Sequence, residues 1–136
     1  LNGEITWAVT AHYIDEGWDT GPVIDTEPVE IRPDDTTYDL HQRSLKALVV
    51  LFKRVARAAL TNVNVLPSTP QDESKAKYYD KDSLRKEGGR IFLDDWESDP
   101  EWTDRIIRAF QYPGKPPAYT DFRDWKYDIT RRREKA

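Results

Sequence analysis

His12, Asp15, Glu16 and Asp19 sit within eight residues of one another, interleaved with Gly17 and Gly21, in the stretch HYIDEGWDTGPVI. Three carboxylates this close suggest a cation site. The spacing does not fit a helix–loop–helix calcium loop, which places acids at alternate positions and a Glu at the twelfth. A carboxylate pair can also do acid–base work at a sugar, but nothing in the spacing fixes the separation such chemistry needs. A third reading is structural: Asp15 and Asp19 accept backbone N–H groups in a turn while Glu16 faces water. On the residues alone all three stay open.

The elements that must hold this turn can be read from the pattern. Residues 5–14 alternate, with Ile5, Trp7, Val9, Ala11 and Tyr13 on one face and Thr6, Ala8, Thr10, His12 and Ile14 on the other. Apolar residues on both faces predict an interior strand. GPVIDTEPVEI reads as a second extended piece, irregular or near an edge, because Pro22 and Pro28 have no N–H for a ladder. Thr36 with Asp39 has capping-box spacing and predicts a helix over residues 37–60. Leu48, Leu51, Val55 and Ala59 form one stripe, and Leu45, Val49, Phe52 and Ala56 an adjacent one. So wide an apolar surface predicts a well-buried helix, with Lys46, Lys53, Arg54 and Arg57 on its wet side.

Pro67 to Lys75 is polar and proline-bearing, which suggests two regions, 1–72 and 73–136. Glu87 to Gly89 marks a turn. In SDPEWTDRIIRAF, Ser98 or Asp99 caps a helix with Pro100 in its first turn, and Trp102, Ile106, Ala109 and Phe110 form its buried face. AYTDF and WKYDI suggest a closing hairpin.

Composition narrows the chemistry. The chain has 136 residues, no Cys and only two His, which rules out disulfides and thiolate metal sites and argues against an imidazole zinc centre. Its net charge of −4 implies no general affinity for nucleic acid. No apolar run approaches the roughly 20 residues a membrane span needs, so the expectation is a cytoplasmic protein without a membrane partner. The chain contains no Met and enters a strand pattern almost at once, which reads as an internal or C-terminal piece of something longer.

The ordered series of motifs resembles the formyltransferase family. Thr6 to Val9 is followed by Asp15, Gly17, Asp19, Thr20 and Gly21. Next come Asp35-Thr36, Gln71, Tyr78-Tyr79, Asp94-Asp95-Trp96 and IRAF at Ile107 to Phe110. The resemblance covers nearly the whole chain. It implies an α/β fold: the C-terminal half of a Rossmann-like formyltransferase core, followed by a small α+β extension. The family moves a formyl group from 10-formyltetrahydrofolate, a co-substrate, to an amine, with no metal. The amine attacks the formyl carbon while an oxyanion and an ammonium develop, so the site must supply hydrogen-bond donors and a proton route.

By motif position the catalytic residue is Asp19, which would orient a His, stabilise its charged form and help shuttle protons. Tyr13, Ile14, Asp15, Glu16, Gly17 and Trp18 would form the wall that receives the folate. The family's Asn and His belong to an Asn-x-His motif that does not occur here, so the chain alone is expected to be inactive and to need the upstream half of the same catalytic domain. His12, Lys77, Tyr79 and Arg108 are candidates for substrate contact. The structural readings beside them are a packed strand His for His12, an ion pair for Arg108, and a core position for Trp96.

Three branches of the family compete. Transformylases for methionyl-tRNA continue into a basic barrel, and the glycinamide ribonucleotide branch carries Asp-Gly-Gly where this chain has Asp19-Thr20-Gly21. The nucleotide-sugar branch fits best through KYYDKDSL, RIIRAFQYPGKPPAY and KYDI. It implies a nucleotide-linked amino sugar as partner. The closing hairpin could pair across a homodimer. A methionyl-tRNA or other formyltransferase fragment, or a non-catalytic remnant, is the alternative.

Overall fold

A computed structural model describes residues 5–61, 66–77, 88–92 and 94–131. The chain forms two compact units that interleave in sequence. One takes the described residues of 5–31 and 40–77; the other takes 32–39 and the described residues from 88 onward.

In the first unit, β1 (Trp7–His12) runs antiparallel to β2 (Val23–Val29), so β1 leads into the acidic turn and β2 leads out of it. The register runs from Trp7 opposite Val29 to Ala11 opposite Asp25, then slips by one so that His12 lies opposite Val23. Such a bulge re-aims the side chain at a strand end. Pro22 and Pro28 did not prevent pairing; Pro28 lies opposite Ala8 within the ladder. Among the described residues β1 pairs with β2 alone, and Trp7 is 50% exposed, so the expected interior position is not reached.

Helix α1 (Thr37–Thr61) starts where the capping box predicts. The Thr36 N–H donates to Asp39 Oδ2 at 3.0 Å, and the Asp39 N–H donates to Thr36 Oγ1 at 3.2 Å. Each satisfies a donor that the first turn leaves without an intrahelical partner. Arg54 ties this helix to β2: Nε donates to Asp25, Nη1 to Glu27 Oε2 at 2.7 Å, and Nη2 to the Thr26 carbonyl at 2.9 Å. The guanidinium bond holds the Asp25 carboxyl below its usual range.

The well-buried helix is corrected. Leu51 alone of its residues is buried, at 1% exposure, while Val49 is 52% and Phe52 70% exposed. A wide stripe is covered only by what packs on it, and a two-stranded sheet covers a narrow strip. The basic side is wet, as its residues predict.

In the second unit, α2 (Asp95–Ser98) is followed by α3 (Pro100–Ala109), then by β3 (Ala118–Phe122) and β4 (Trp125–Ile129) as an antiparallel hairpin. Asp99 is the cap of α3: its carboxylate accepts the Trp102 N–H at 2.8 Å, with Pro100 in the first turn. Ile91, Ile106, Ile107 and Ala118 form the core, with Trp102, Phe110 and Ile129 against it. Burying each isoleucine is worth about 1.5–3 kcal/mol relative to exposure.

The buried face of α3 thus includes Thr103 and Ile107, which the sequence reading left out. Thr103 is 0% exposed and is tolerated there because its hydroxyl can donate to the Asp95 or Asp99 carbonyl, each 3.0 Å away. Trp96 is 46% exposed and is not core. Gly89 carries φ +61°, and a Cβ there would press 2.8 Å from the Phe110 ring, so the turn requires glycine.

Candidate functional site

The acidic turn is a closed loop at the end of the β1–β2 ladder. The Tyr13 N–H donates to the Pro22 carbonyl at 3.0 Å and shuts its mouth. Inside, Asp15 Oδ1 accepts both the Gly17 N–H at 3.1 Å and the Thr20 hydroxyl at 2.7 Å, an Asx turn reinforced by a side chain. That is the structural role the residues suggested for Asp15. Glu16 is exposed.

Asp19 is different. It holds φ +57°, a left-handed conformation that Asp adopts more readily than most residues, and its side chain is 94% exposed. Its backbone, by contrast, is held. Gln71 Nε2 donates to the Asp19 carbonyl at 2.8 Å and to the Gly21 carbonyl at 2.7 Å. The loop therefore projects an exposed carboxylate from a tethered main chain.

The two glycines act in different ways. A Cβ on Gly21 would overlap the Tyr13 carbonyl oxygen, so a backbone faces a backbone there. A Cβ on Gly17 would meet the Thr20 hydroxyl, a side chain that can turn away. Ile14 is 96% and Trp18 94% exposed, leaving two apolar side chains bare beside the carboxylate.

His12 is partly buried at the end of β1. Its Nδ1 lies 2.9 Å from the Tyr13 carbonyl and its Nε2 lies 3.5 Å from Asp19 Oδ1. The Tyr13 phenol is engaged at Leu66: its hydroxyl donates to the Leu66 carbonyl at 3.1 Å and accepts the Leu66 N–H at 2.7 Å. Lys77 is exposed. Arg108 belongs to the other unit, where Nε donates to Asp104 at 2.7 Å and Nη1 to the Asp35 carbonyl at 2.9 Å. Tyr79 lies outside the described residues.

So the structure brings His12 together with Asp19, and pins residues 13–21 from the 66–71 segment. Thr69 takes part through two backbone bonds with Val23, each 2.8 Å. The sequence reading noted Gln71 only as a motif residue and missed it as the tether. A single Gln in a polar stretch, 50 residues from its partner, carries no local signal. Among the described residues no three His, Asp or Glu side chains group as metal ligands.

No family model matches the chain. It is 33% identical over 132 residues to a methionyl-tRNA formyltransferase of Marinobacter nauticus, covering 93% of this chain and 38% of that protein. A methionyl-tRNA formyltransferase of Burkholderia ambifaria is 35% identical over 113 residues, covering 82% and 33%. The chain thus spans little more than a third of the curated relatives it matches. Among solved structures, a 4-N formyltransferase from Francisella tularensis superposes with a TM-score of 0.76 at 27% identity, over 93% of this chain and 51% of that one. An N-formyltransferase from Helicobacter canadensis, in complex with folinic acid and dTDP-3-aminofucose, gives 0.66 at 26%, over 82% and 39%. Sequence and fold agree with the motif series: this mixed α/β chain is related to the formyltransferases and corresponds to a part of their length.

Proposed function

We propose that this chain carries the Asp-bearing, folate-facing loop of a 10-formyltetrahydrofolate-dependent N-formyltransferase whose acceptor is the amine of a nucleotide-linked amino sugar. The observation that carries this reading is the loop itself, with an exposed Asp19 carboxylate beside His12 on a main chain tethered by Gln71. The loop suits a flat ligand: Ile14 and Trp18 offer apolar surface, while Gly17 and Gly21 let the loop fold tightly on itself. Folate supplies the one-carbon group. Asp19 orients an imidazole, stabilises its charged form and passes protons through water; His12 already lies on one side of it. Tyr13 would contribute its main chain to the wall, its phenol being engaged at Leu66.

The amino-sugar acceptor is supported by the Helicobacter relative, whose complex holds dTDP-3-aminofucose. The methionyl-tRNA acceptor is the second reading, favoured by the curated relatives. The test is formyl transfer by the full-length protein from 10-formyltetrahydrofolate, with a nucleotide-linked amino sugar in one arm and methionyl-tRNA in the other. Turnover with the sugar alone supports the first reading and turnover with the tRNA alone the second. Turnover with neither supports a non-catalytic remnant. Robust activity from residues 1–136 alone would remove the need for the upstream Asn and His.

We also propose that the hairpin mediates a homodimer. Phe122, Trp125 and Tyr127 share one of its faces and are each at least half exposed. Sedimentation of a Trp125→Lys variant tests this: a mass unchanged from wild type counts against it.

A further inference from the structure

The side-chain amide nitrogen of Gln71 carries two protons, and both are directed at the main chain of the Asp19 loop. Nε2 lies 2.8 Å from the Asp19 carbonyl and 2.7 Å from the Gly21 carbonyl. One planar NH2 group serves both oxygens only while residues 19 to 21 keep the curl that begins at the left-handed Asp19, φ +57°. The amide thus fixes the peptide planes at residues 19 and 21, and with them the direction in which the Asp19 Cα–Cβ bond leaves the loop. The bonds within the turn gather instead at Asp15, whose Oδ1 takes the Gly17 N–H and the Thr20 hydroxyl. The Asp19 carboxylate itself stands in solvent, 94% exposed, with His12 Nε2 at 3.5 Å.

A tether positions its target only if its own base is fixed. Two residues before Gln71, Thr69 exchanges two backbone bonds with Val23, each 2.8 Å. One residue after it, Asp72 Oδ1 accepts the Ser74 N–H at 3.1 Å and the Ser74 hydroxyl at 2.6 Å, capping the turn Glu73–Lys75. Lys75 Nζ closes on Asp72 Oδ2 at 3.1 Å. Gln71 stands between these two anchored points, so its donors are aimed by the backbone paired to β2 and not by the loop they grip.

We propose that Gln71 is a positioning residue, which sets where the Asp19 carboxylate stands relative to its imidazole partner and so the rate of the proton transfers assigned to Asp19. The inference rests on the formyl-transfer reading of the loop. The two bonds of Gln71 go to main-chain oxygens, so it acts through Asp19 and not on the reacting atoms. Rate is sensitive to such an arrangement, because misplacing a catalytic group by about 1 Å can cost about 10²-fold.

A double-mutant cycle in the full-length protein tests it, with 10-formyltetrahydrofolate and a nucleotide-linked amino sugar or methionyl-tRNA, whichever supports turnover. Gln71→Ala is expected to lower kcat about 10- to 100-fold and to change KM for either substrate by less than about threefold. In an Asp19→Asn background the same substitution is expected to change kcat by less than about threefold, because the carboxylate it positions is gone. Gln71→Lys, whose ammonium can donate to the same two carbonyls, is expected to recover most of the lost kcat. Gln71→Glu sets oxygens against those carbonyls and is expected to fall at least as low as Gln71→Ala. Losses that multiply in the double variant overturn the positioning role in favour of a structural one. So does Gln71→Ala turning over like wild type, or Gln71→Lys no better than Gln71→Glu. Each of these three results leaves the formyl-transfer reading standing. Asp19→Asn with wild-type turnover, or an unsubstituted protein inactive with both acceptors, overturns that reading and the positioning role together.

Discussion

Replacing Gly21 and Gly17 by alanine, one at a time, separates the two ways in which a glycine serves this loop. Neither takes a positive φ, so the comparison is steric and not conformational. The Gly21 methyl would collide with the Tyr13 carbonyl, and one of the two backbones must move. Movement threatens the Tyr13 N–H bond to Pro22 and the Gln71 bond to the Gly21 carbonyl. Each such bond contributes about 0.5–1.5 kcal/mol net, so Gly21→Ala is expected to cost about 1–3 kcal/mol. The Gly17 methyl would displace only the Thr20 hydroxyl, losing its bond to Asp15 at about 1 kcal/mol. Urea denaturation of the two variants, followed by tryptophan fluorescence, measures the difference in midpoint at constant slope. Gly21→Ala as stable as Gly17→Ala would refute the backbone-on-backbone account.

Asp19→Asn should keep the fold, because Asn tolerates the left-handed conformation well, while cutting turnover of the full-length enzyme by roughly 10²–10⁴-fold; unchanged turnover would remove Asp19 from the chemistry. Tyr13→Phe removes two hydrogen bonds to Leu66 and is expected to lower stability by about 1–3 kcal/mol in the same denaturation assay. Asp25 is held ionised by Arg54, so its carboxyl is expected to titrate below the ordinary Asp range by NMR and to move up in Arg54→Ala. Because the folded-state value is the lower one, the contribution to stability is present above the unfolded Asp value and is lost as pH falls through the folded one. An identical titration with and without Arg54 would assign the shift to another cause.

What could be read in advance was what is local. Thr36 with Asp39, and Asp99 with Pro100, mark helix starts because a cap and its donor lie within one turn. The closing hairpin follows from period-2 alternation around a short turn. The turn's chemistry was half legible: Asp15 as a turn former is a contact over two residues. The environment of α1 was not, because exposure of Val49 and Phe52 depends on what packs against them and not on their spacing. Neither was the service of Tyr13, Thr69 and Gln71, since their partners lie 46 to 53 residues away in sequence. His12 beside Asp19 falls between these cases: both residues were candidates, but only the bulge at Ala11 and His12 shows how they meet.

Those long tethers have a consequence for the order of assembly. Tyr13 to Leu66, Val23 to Thr69 and Gln71 to the Asp19 carbonyl all close chain loops of about 50 residues, with α1 inside each loop. Loop-closure entropy delays such contacts until the intervening chain has shortened, and a helix rises only about 1.5 Å per residue. The segment bearing Asp19 is thus expected to acquire its shape after α1 forms, making it a late-consolidating part of the first unit. Pulsed hydrogen exchange during refolding reads this directly, through protection at the Val23, Leu66 and Thr69 amides that lags protection along α1.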